Sequence, residues 1–319
     1  AYMADLVLGG SDSYTTGIRQ DTYYSGPSWN RYFNPDLTWE VGEKINLGLD
    51  LQLFNDFNLT FDIFREKRRD IFMTRENSIP EIVGTGETKI TSNNGEMENK
   101  GLDLAIDYNK QITKDFFLSF KSTLTFARNK VLKMDEPPYF EYPGLSDVGH
   151  PLGTYWGYVV DGLFPDQETI DNSPRQDLGY TPQPGDIKYV NQPNAKGEYD
   201  NVINSNDRVA IGHPYDPELV YGFGPSMRLK NWDFSFFFQG VARTSFMMYG
   251  MHPFGTTSIK NMLQFVADDH WSVDNPNPNA AYPRLTKDSN GNNDQYSTYW
   301  LRNAAFLKLK NAEIGYTYK

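Results

Sequence analysis

Apolar and polar residues alternate with a period of two along several stretches of the chain, as expected for strands with one apolar and one polar face. From Ile45 the apolar set is Ile45, Leu47, Leu49, Leu51 and Leu53, interleaved with Asn46, Gly48, Asp50 and Gln52. The pattern resumes at Leu59, Phe61 and Ile63, and again at Leu102, Leu104, Ile106 and Tyr108. It returns at Phe116, Leu118, Phe120, Leu124 and Phe126, then at Leu219, Tyr221, Phe223, Met227 and Leu229. Trp232, Phe234, Phe236 and Phe238 follow, and the last set is Ala312, Ile314, Tyr316 and Tyr318. Leu307 and Leu309 lie on the opposite phase from that last set, which predicts a bulge near Lys310. The alternation thus predicts an all-β fold of seven strands, with a weaker strand over residues 1–8.

The strands come in pairs joined by tight polar turns around Asn55-Asp56, Lys110–Asp115 and Lys230-Asn231. The pairs are separated by long polar stretches, about 73–95, 130–218 and 245–298, which hold most of the Pro, Gly and Asn. Short turns at one end and long loops at the other are the asymmetry of an outer-membrane antiparallel β-barrel. In that reading the apolar face meets lipid, and Asp50, Asp62, Asp103, Lys121 and Arg228 line an aqueous lumen. A soluble β-sandwich that binds glycans is the rival, with the apolar faces of two sheets meeting. Trp232, Phe57, Phe116 and Tyr108 near the turns suit an interfacial aromatic girdle, and equally suit ordinary β packing.

Composition narrows the function. The 319 residues include no Cys, which removes disulfides, thiolate metal sites and Cys nucleophiles. The formal charge of −11 argues against a phosphate-tracking nucleic-acid binder. No apolar run reaches the ~18–20 residues of a spanning helix. The 21 Phe, 21 Tyr and 6 Trp in an otherwise polar chain suit pleated surfaces. His150, His213, His252 and His270 all fall in predicted loops, and no H-E-x-x-H, G-x-S-x-G or P-loop pattern occurs. Asp268-Asp269-His270-Trp271 has no second ligand cluster at metal spacing. No catalytic residue, metal or cofactor is assigned. A glycoside hydrolase, the third reading, would require a carboxylate pair at ~5–9.5 Å.

Several phrases carry a resemblance: Asn34-Pro35-Asp36-Leu37-Thr38-Trp39-Glu40, Asn99-Lys100-Gly101-Leu102-Asp103 and Gly153-Thr154-Tyr155-Trp156-Gly157-Tyr158 with Asp161-Gly162-Leu163-Phe164. Next come Pro184-Gly185-Asp186-Ile187-Lys188-Tyr189, Asn206-Asp207-Arg208 with Ile211-Gly212, and the run from Tyr299-Trp300-Leu301-Arg302 to Asn311. In this order they resemble the C-terminal barrel portion of the SusC/RagA family of TonB-dependent outer-membrane transporters. The resemblance implies that residues 1–319 are part of a 22-stranded transmembrane barrel, with the plug domain absent from this chain. It implies import of oligosaccharides or peptides together with a SusD-like surface lipoprotein acting as a lid. TonB, ExbB and ExbD would supply energy through the missing plug.

Residues of the long loops are then candidate ligand contacts, because rings stack on the apolar faces of sugars and polar groups satisfy hydroxyls. The set is Tyr139, Tyr142, Tyr155, Trp156, Trp271 and Tyr282, with Asp147 and Asp161 nearby. The competing reading is that these rings pack loop on loop or against the lid. Where the family often carries an acidic calcium-like repeat, this chain reads Asn191-Gln192-Pro193-Asn194-Ala195-Lys196-Gly197-Glu198-Tyr199-Asp200, and no metal is expected there. The run Arg65-Glu66-Lys67-Arg68-Arg69-Asp70 continues a strand past its apolar part, as a rim suited to anionic headgroups or simply to water.

Overall fold

The computed structural model describes residues 5–75, 77–83, 90–248, 263–287 and 289–318. Its strands of ten residues or more are β1 (Asp5–Thr16), β2 (Thr22–Arg31), β3 (Val41–Leu53), β4 (Phe57–Thr74), β5 (Thr91–Thr113), β6 (Phe116–Lys133), β7 (Leu219–Leu229), β8 (Trp232–Ala242) and β9 (Phe306–Tyr316). Strands β3 to β9 form one seven-stranded antiparallel sheet, each paired with the next in sequence. Strands β1 and β2 form a separate hairpin.

The register explains why alternation was so regular. Leu47, Ile63, Leu102, Phe126, Leu219 and Ala242 stand in one cross-strand row. Leu49, Phe61, Leu104, Leu124, Tyr221 and Gly240 make the next. A one-residue slip would turn each apolar set to the other side, so these matched rows pin the pairing. The result is a continuous apolar face across all seven strands, and it is uncovered: Leu47 is 67% and Ile45 68% exposed. A sandwich would cover this face with a second sheet. Among the described residues no other sheet has more than two strands.

Three tight turns close one end of the wall. Leu53 pairs with Phe57, Thr113 with Phe116, and Leu229 with Trp232. Asn55 and Lys230 take φ near +55°, the left-handed conformation such turns require. Trp232 lies 4.9 Å from the Tyr316 ring at this end, with Phe57, Tyr108 and Phe116 in the same end rows. The bulge expected near Lys310 is present: Phe237 pairs with Asn311 and Phe238 with Leu309, so Lys310 has no opposite number.

Two expectations are revised. The weak strand at residues 1–8 is β1, beginning at Asp5 and running to Thr16, with β2 as an unforeseen partner; residues 1–4 lie outside the described residues. The connection placed at 73–95 spans only residues 75–90, because β4 and β5 continue to Thr74 and Thr91. Cross-strand ion pairs carry the ladder past the apolar rows, with Arg65 on Glu98 at 2.5 Å and Lys67 on Glu96 at 3.1 Å. The Asn34-Pro35-Asp36-Leu37 phrase clamps the chain onto this region. Asn34 donates to the Thr91 carbonyl, Asn93 and Thr38 exchange bonds of 2.8 and 2.9 Å, and Leu37 is buried.

Candidate functional site

The lumen candidates of the sequence share one face of the wall. Asp62 pairs directly with both Gly48 and Asp103, Asp103 with Thr125, and Lys121 with Asp107 and Gly224. Thr60 donates to Asp50 at 2.7 Å and Thr125 to Asp103 at 2.6 Å, while Lys121 lies 3.7 Å from Asp107. The Arg228 guanidinium sits 5.5 Å from the Phe117 ring centroid on the same face. Near the turns Phe117, Arg228, Asp233, Ser235 and Glu313 line a recess of about 690 Å³.

At the other end, the two longest connections fold together around a core of their own. Tyr158, Leu163, Ile187, Tyr189 and Ile203 come from the β6–β7 connection. Val266, Trp271, Tyr282 and Trp300 come from the β8–β9 connection. Short strands brace each connection internally: Tyr155–Gly157 pairs with Val209–Ile211, and Ser245–Met247 with Leu301–Asn303. Tyr158 and Ser297 bridge the two connections, with Tyr158 N–H donating to the Tyr296 carbonyl at 2.9 Å.

Beside this core lies a buried polar knot. Asp186 is fully buried and its carboxylate accepts from Asn290 at 3.0 Å, Asn293 at 2.9 Å, Arg284 at 3.1 and 3.3 Å, and the Gln183 N–H at 2.8 Å. Asn292 donates to the Ile187 carbonyl, and Gln176 donates both there and to the Asn292 side chain. Gln176 also accepts the Tyr189 N–H at 2.7 Å, and the Tyr189 hydroxyl donates to the Asn292 carbonyl at 2.6 Å. Burial works against the Arg284 charge, but the Asp186 and Tyr180 partners outweigh it and hold its pKa above the ordinary value. Burial raises the Tyr189, Tyr158 and Tyr155 phenols, so all stay neutral donors. Burial also raises the Asp207 carboxyl, opposed by N–H groups of Gln192 and Asn204.

The motif glycines serve this union. A Cβ at Gly157 would collide with the Tyr296 carbonyl, and one at Gly185 with the Trp271 indole. Gly185 also holds φ +88°, open to glycine at little cost.

The proposed ligand aromatics therefore separate. Trp271 is only 4% exposed, and Tyr282 is likewise buried in the loop core. The reading of Trp271 as a ligand contact is corrected: its ring is consumed by packing on Gly185. Trp156 is half-buried; its indole N–H donates to Asp147 at 2.6 Å and its ring meets His150 edge-on at 5.0 Å. Asp161 is paired with Lys188 at 2.8 Å. Tyr139, Tyr142 and Tyr155 are half-buried, with the Tyr142 hydroxyl bonded to Asn206. A cleft of about 850 Å³, lined by Phe164, Arg175, Asp177, Tyr180, Pro182 and Gln183 among others, includes none of these residues. Sequence reasoning missed Gln176 and Arg284, which no motif marks, and Asn290, Asn292 and Asn293, whose Asn-Gly-Asn-Asn run reads as an ordinary polar loop.

Residues 10–176, just over half of the chain, match the family described as TonB dependent receptor-like, beta-barrel. The chain belongs to that family. Among curated relatives it is 25% identical over 308 residues to TonB-dependent receptor P3 of Formosa agariphila, covering 93% of this chain and 29% of that protein. It is 26% identical over 310 residues to TonB-dependent receptor SusC of Bacteroides thetaiotaomicron, covering 94% of this chain and 28% of that protein. The chain thus spans about three tenths of the relatives' length. The RagAB peptide importer in its closed-closed state superposes with a TM-score of 0.67 at 20% identity, over 99% of this chain and 32% of that one. Its open-open state gives 0.68, over 99% of this chain and 31% of that one. The SusC/RagA resemblance of the motifs is thereby confirmed for the TonB-dependent β-barrel segment.

Proposed function

We propose that this chain forms part of the wall and external loops of a TonB-dependent outer-membrane importer of the SusC/RagA type. One observation carries the reading: a seven-strand meander whose apolar rows are continuous and uncovered, with Asp50, Asp62, Asp103 and Lys121 on the face opposite those rows. Bilayer lipid satisfies the first face and an aqueous lumen the second. The dimensions agree. Phe116 to Phe126 is a ten-residue rise, about 34 Å along the strand, and a tilt of ~40° reduces it to ~26 Å. That matches an apolar band of ~25 Å.

In this reading Asp50, Asp62, Asp103, Lys121 and Arg228 face the lumen. Tyr155, Trp156, Tyr139, Tyr142 and Asp161 stand at the extracellular end, where cargo would be held under a SusD-like lid lipoprotein. The half-burial of these aromatics leaves part of each ring open to a cargo. Peptide is the cargo named for the similar RagAB importer, and oligosaccharide is the alternative that the resemblance of the motifs implies. The whole protein would draw on TonB, ExbB and ExbD.

Uptake of labelled oligosaccharides and labelled peptides by intact cells tests the reading, with and without a protonophore and with the neighbouring lid lipoprotein deleted. Import of one class, abolished by the protonophore and reduced without the lid, is the expected result. Import of neither class, or import indifferent to the proton gradient, would overturn it.

A further inference from the structure

Above the last fully apolar row, the register creates a row that a protein in water has little reason to build. Arg65 stands directly opposite Lys100, and Lys100 directly opposite Arg128, on three adjacent strands of the apolar face. Like charges facing one another across a ladder destabilise a sheet. The carboxylates at hand do not neutralise them. Glu98 is shared between Arg65 at 2.5 Å and Lys100 at 2.7 Å. Glu218 is shared between Arg243 at 2.6 Å and Arg128 at 3.0 Å, the latter an ion pair without hydrogen-bond alignment. Two carboxylates thus serve four cations. Lys130 and Lys133 stand opposite Glu98 and Glu96 in the register, yet neither forms an ion pair among the described residues, because Glu98 is taken by Arg65 and Lys100 and Glu96 by Lys67. This basic excess stands in a chain whose net charge is −11.

We propose that the Arg65–Lys100–Arg128 row binds the phosphate of an outer-leaflet lipid whose acyl chains lie on the apolar rows below. The row sits immediately past Leu47, Ile63, Leu102 and Phe126, one pleat repeat of about 7 Å beyond the apolar band, where headgroup phosphates lie. Two guanidinium forks flanking an ammonium match the oxygens of a phosphate monoester. An anion there would convert the repulsion between opposed cations into a shared attraction. The inference rests on the apolar face meeting lipid, and its test separates the two claims.

The full-length transporter is reconstituted in nanodiscs of phosphatidylcholine containing either diphosphoryl lipid A or its fully dephosphorylated form. Retained lipid is read by native mass spectrometry after release into detergent. The expected result is retention of the phosphorylated form alone, falling about tenfold or more in Arg65→Gln/Lys100→Gln/Arg128→Gln. Lys230→Gln, at the turn end of the wall, retains it fully. Equal retention by the triple variant, or equal retention of the dephosphorylated lipid, would overturn the proposal while leaving the membrane reading intact. Displacement of the lipid by millimolar inorganic phosphate would also overturn it, showing a site for free phosphate instead. A protein that does not enter nanodiscs at all refutes the membrane reading first, and the lipid site with it.

Discussion

Replacing Asp186 by Ala should unfasten the loop assembly without disturbing the wall. The carboxylate is fully buried and receives Arg284, Asn290, Asn293 and the Gln183 N–H. Removing one partner of a buried pair costs about 3–5 kcal/mol, because the other charge is left uncompensated. Arg284 keeps 21% of its side-chain surface, so the low end applies. The orphaned amides of Asn290 and Asn293 add to the loss, but water entering the gap recovers part of it. About 3 kcal/mol remains, which raises the local opening constant by roughly two powers of ten. Amide hydrogen exchange on the full-length protein in detergent is the assay. Residues 176–189 and 290–300 should exchange about a hundredfold faster, in step, while β4–β6 amides keep their protection. Asp186→Asn, which keeps one acceptor oxygen but turns an amide toward Arg284, should fall between. Unchanged exchange in both segments would refute the knot as the fastening. Faster exchange in one segment alone would refute its role in joining two connections.

Other outcomes follow from the same geometry. Leu49→Arg, in the middle of the apolar rows, should weaken folding into bilayers by about 2–4 kcal/mol in a denaturant titration, whereas Asp50→Leu on the opposite face should leave it nearly unchanged. Trp156→Phe keeps the ring against His150 but strands Asp147, and should reduce cargo uptake at constant surface abundance if the indole edge contacts cargo. Asp207 is held above its unfolded pKa by burial, so the folded state binds its proton more tightly. Loop stability should therefore fall as pH rises from the ordinary carboxylate range through the raised value. Exchange-monitored stability in Asp207→Asn should lose that pH slope, and should be lower at acidic pH because one of two accepted N–H bonds is gone. Gly185→Ala should act like a mild Asp186 variant, since a methyl there displaces the Trp271 indole.

The wall was legible because two-fold alternation and lipid exposure impose the same pattern on every strand. Ile45 to Leu53 announces both its period and its face, and even the slip at Lys310 shows as a phase change. Where the apolar rows end, that signal ends too. β4 and β5 run on past Arg65 because Glu98 and Glu96 replace hydrophobic pairing with ion pairs, and such residues look like loop. β1 and β2 escaped because Gly9-Gly10-Ser11 and Ser25-Gly26-Pro27 break the alternation, matching the register irregularity between Leu8 and Ser13. The loop core escaped for a different reason. Its fastening depends on Asp186 meeting Asn290 and Asn293 across more than a hundred positions, and nothing local marks an Asn as buried. Trp271 was misread on the same account: an aromatic in a polar stretch looks available until its partner Gly185 is known.

The position of the knot in the chain bears on how the extracellular end can move. The connection carrying Asp186 leaves β6 and enters β7, and the one carrying Asn290 and Asn293 leaves β8 and enters β9. The β7–β8 hairpin lies between them and is closed at the opposite end by Lys230-Asn231. Strands β6 to β9 are therefore held together twice, by ladder hydrogen bonds along the wall and by a buried core across its mouth. A load on either connection is shared by both, so the two connections behave as one body. Among the described residues of the 75–90 connection, Asn77 reaches the Asp135 segment, through bonds of 2.8 and 3.2 Å. The fused β6–β7 and β8–β9 connections thus combine a buried core of their own with Trp156 and Tyr155 left half-exposed at its edge.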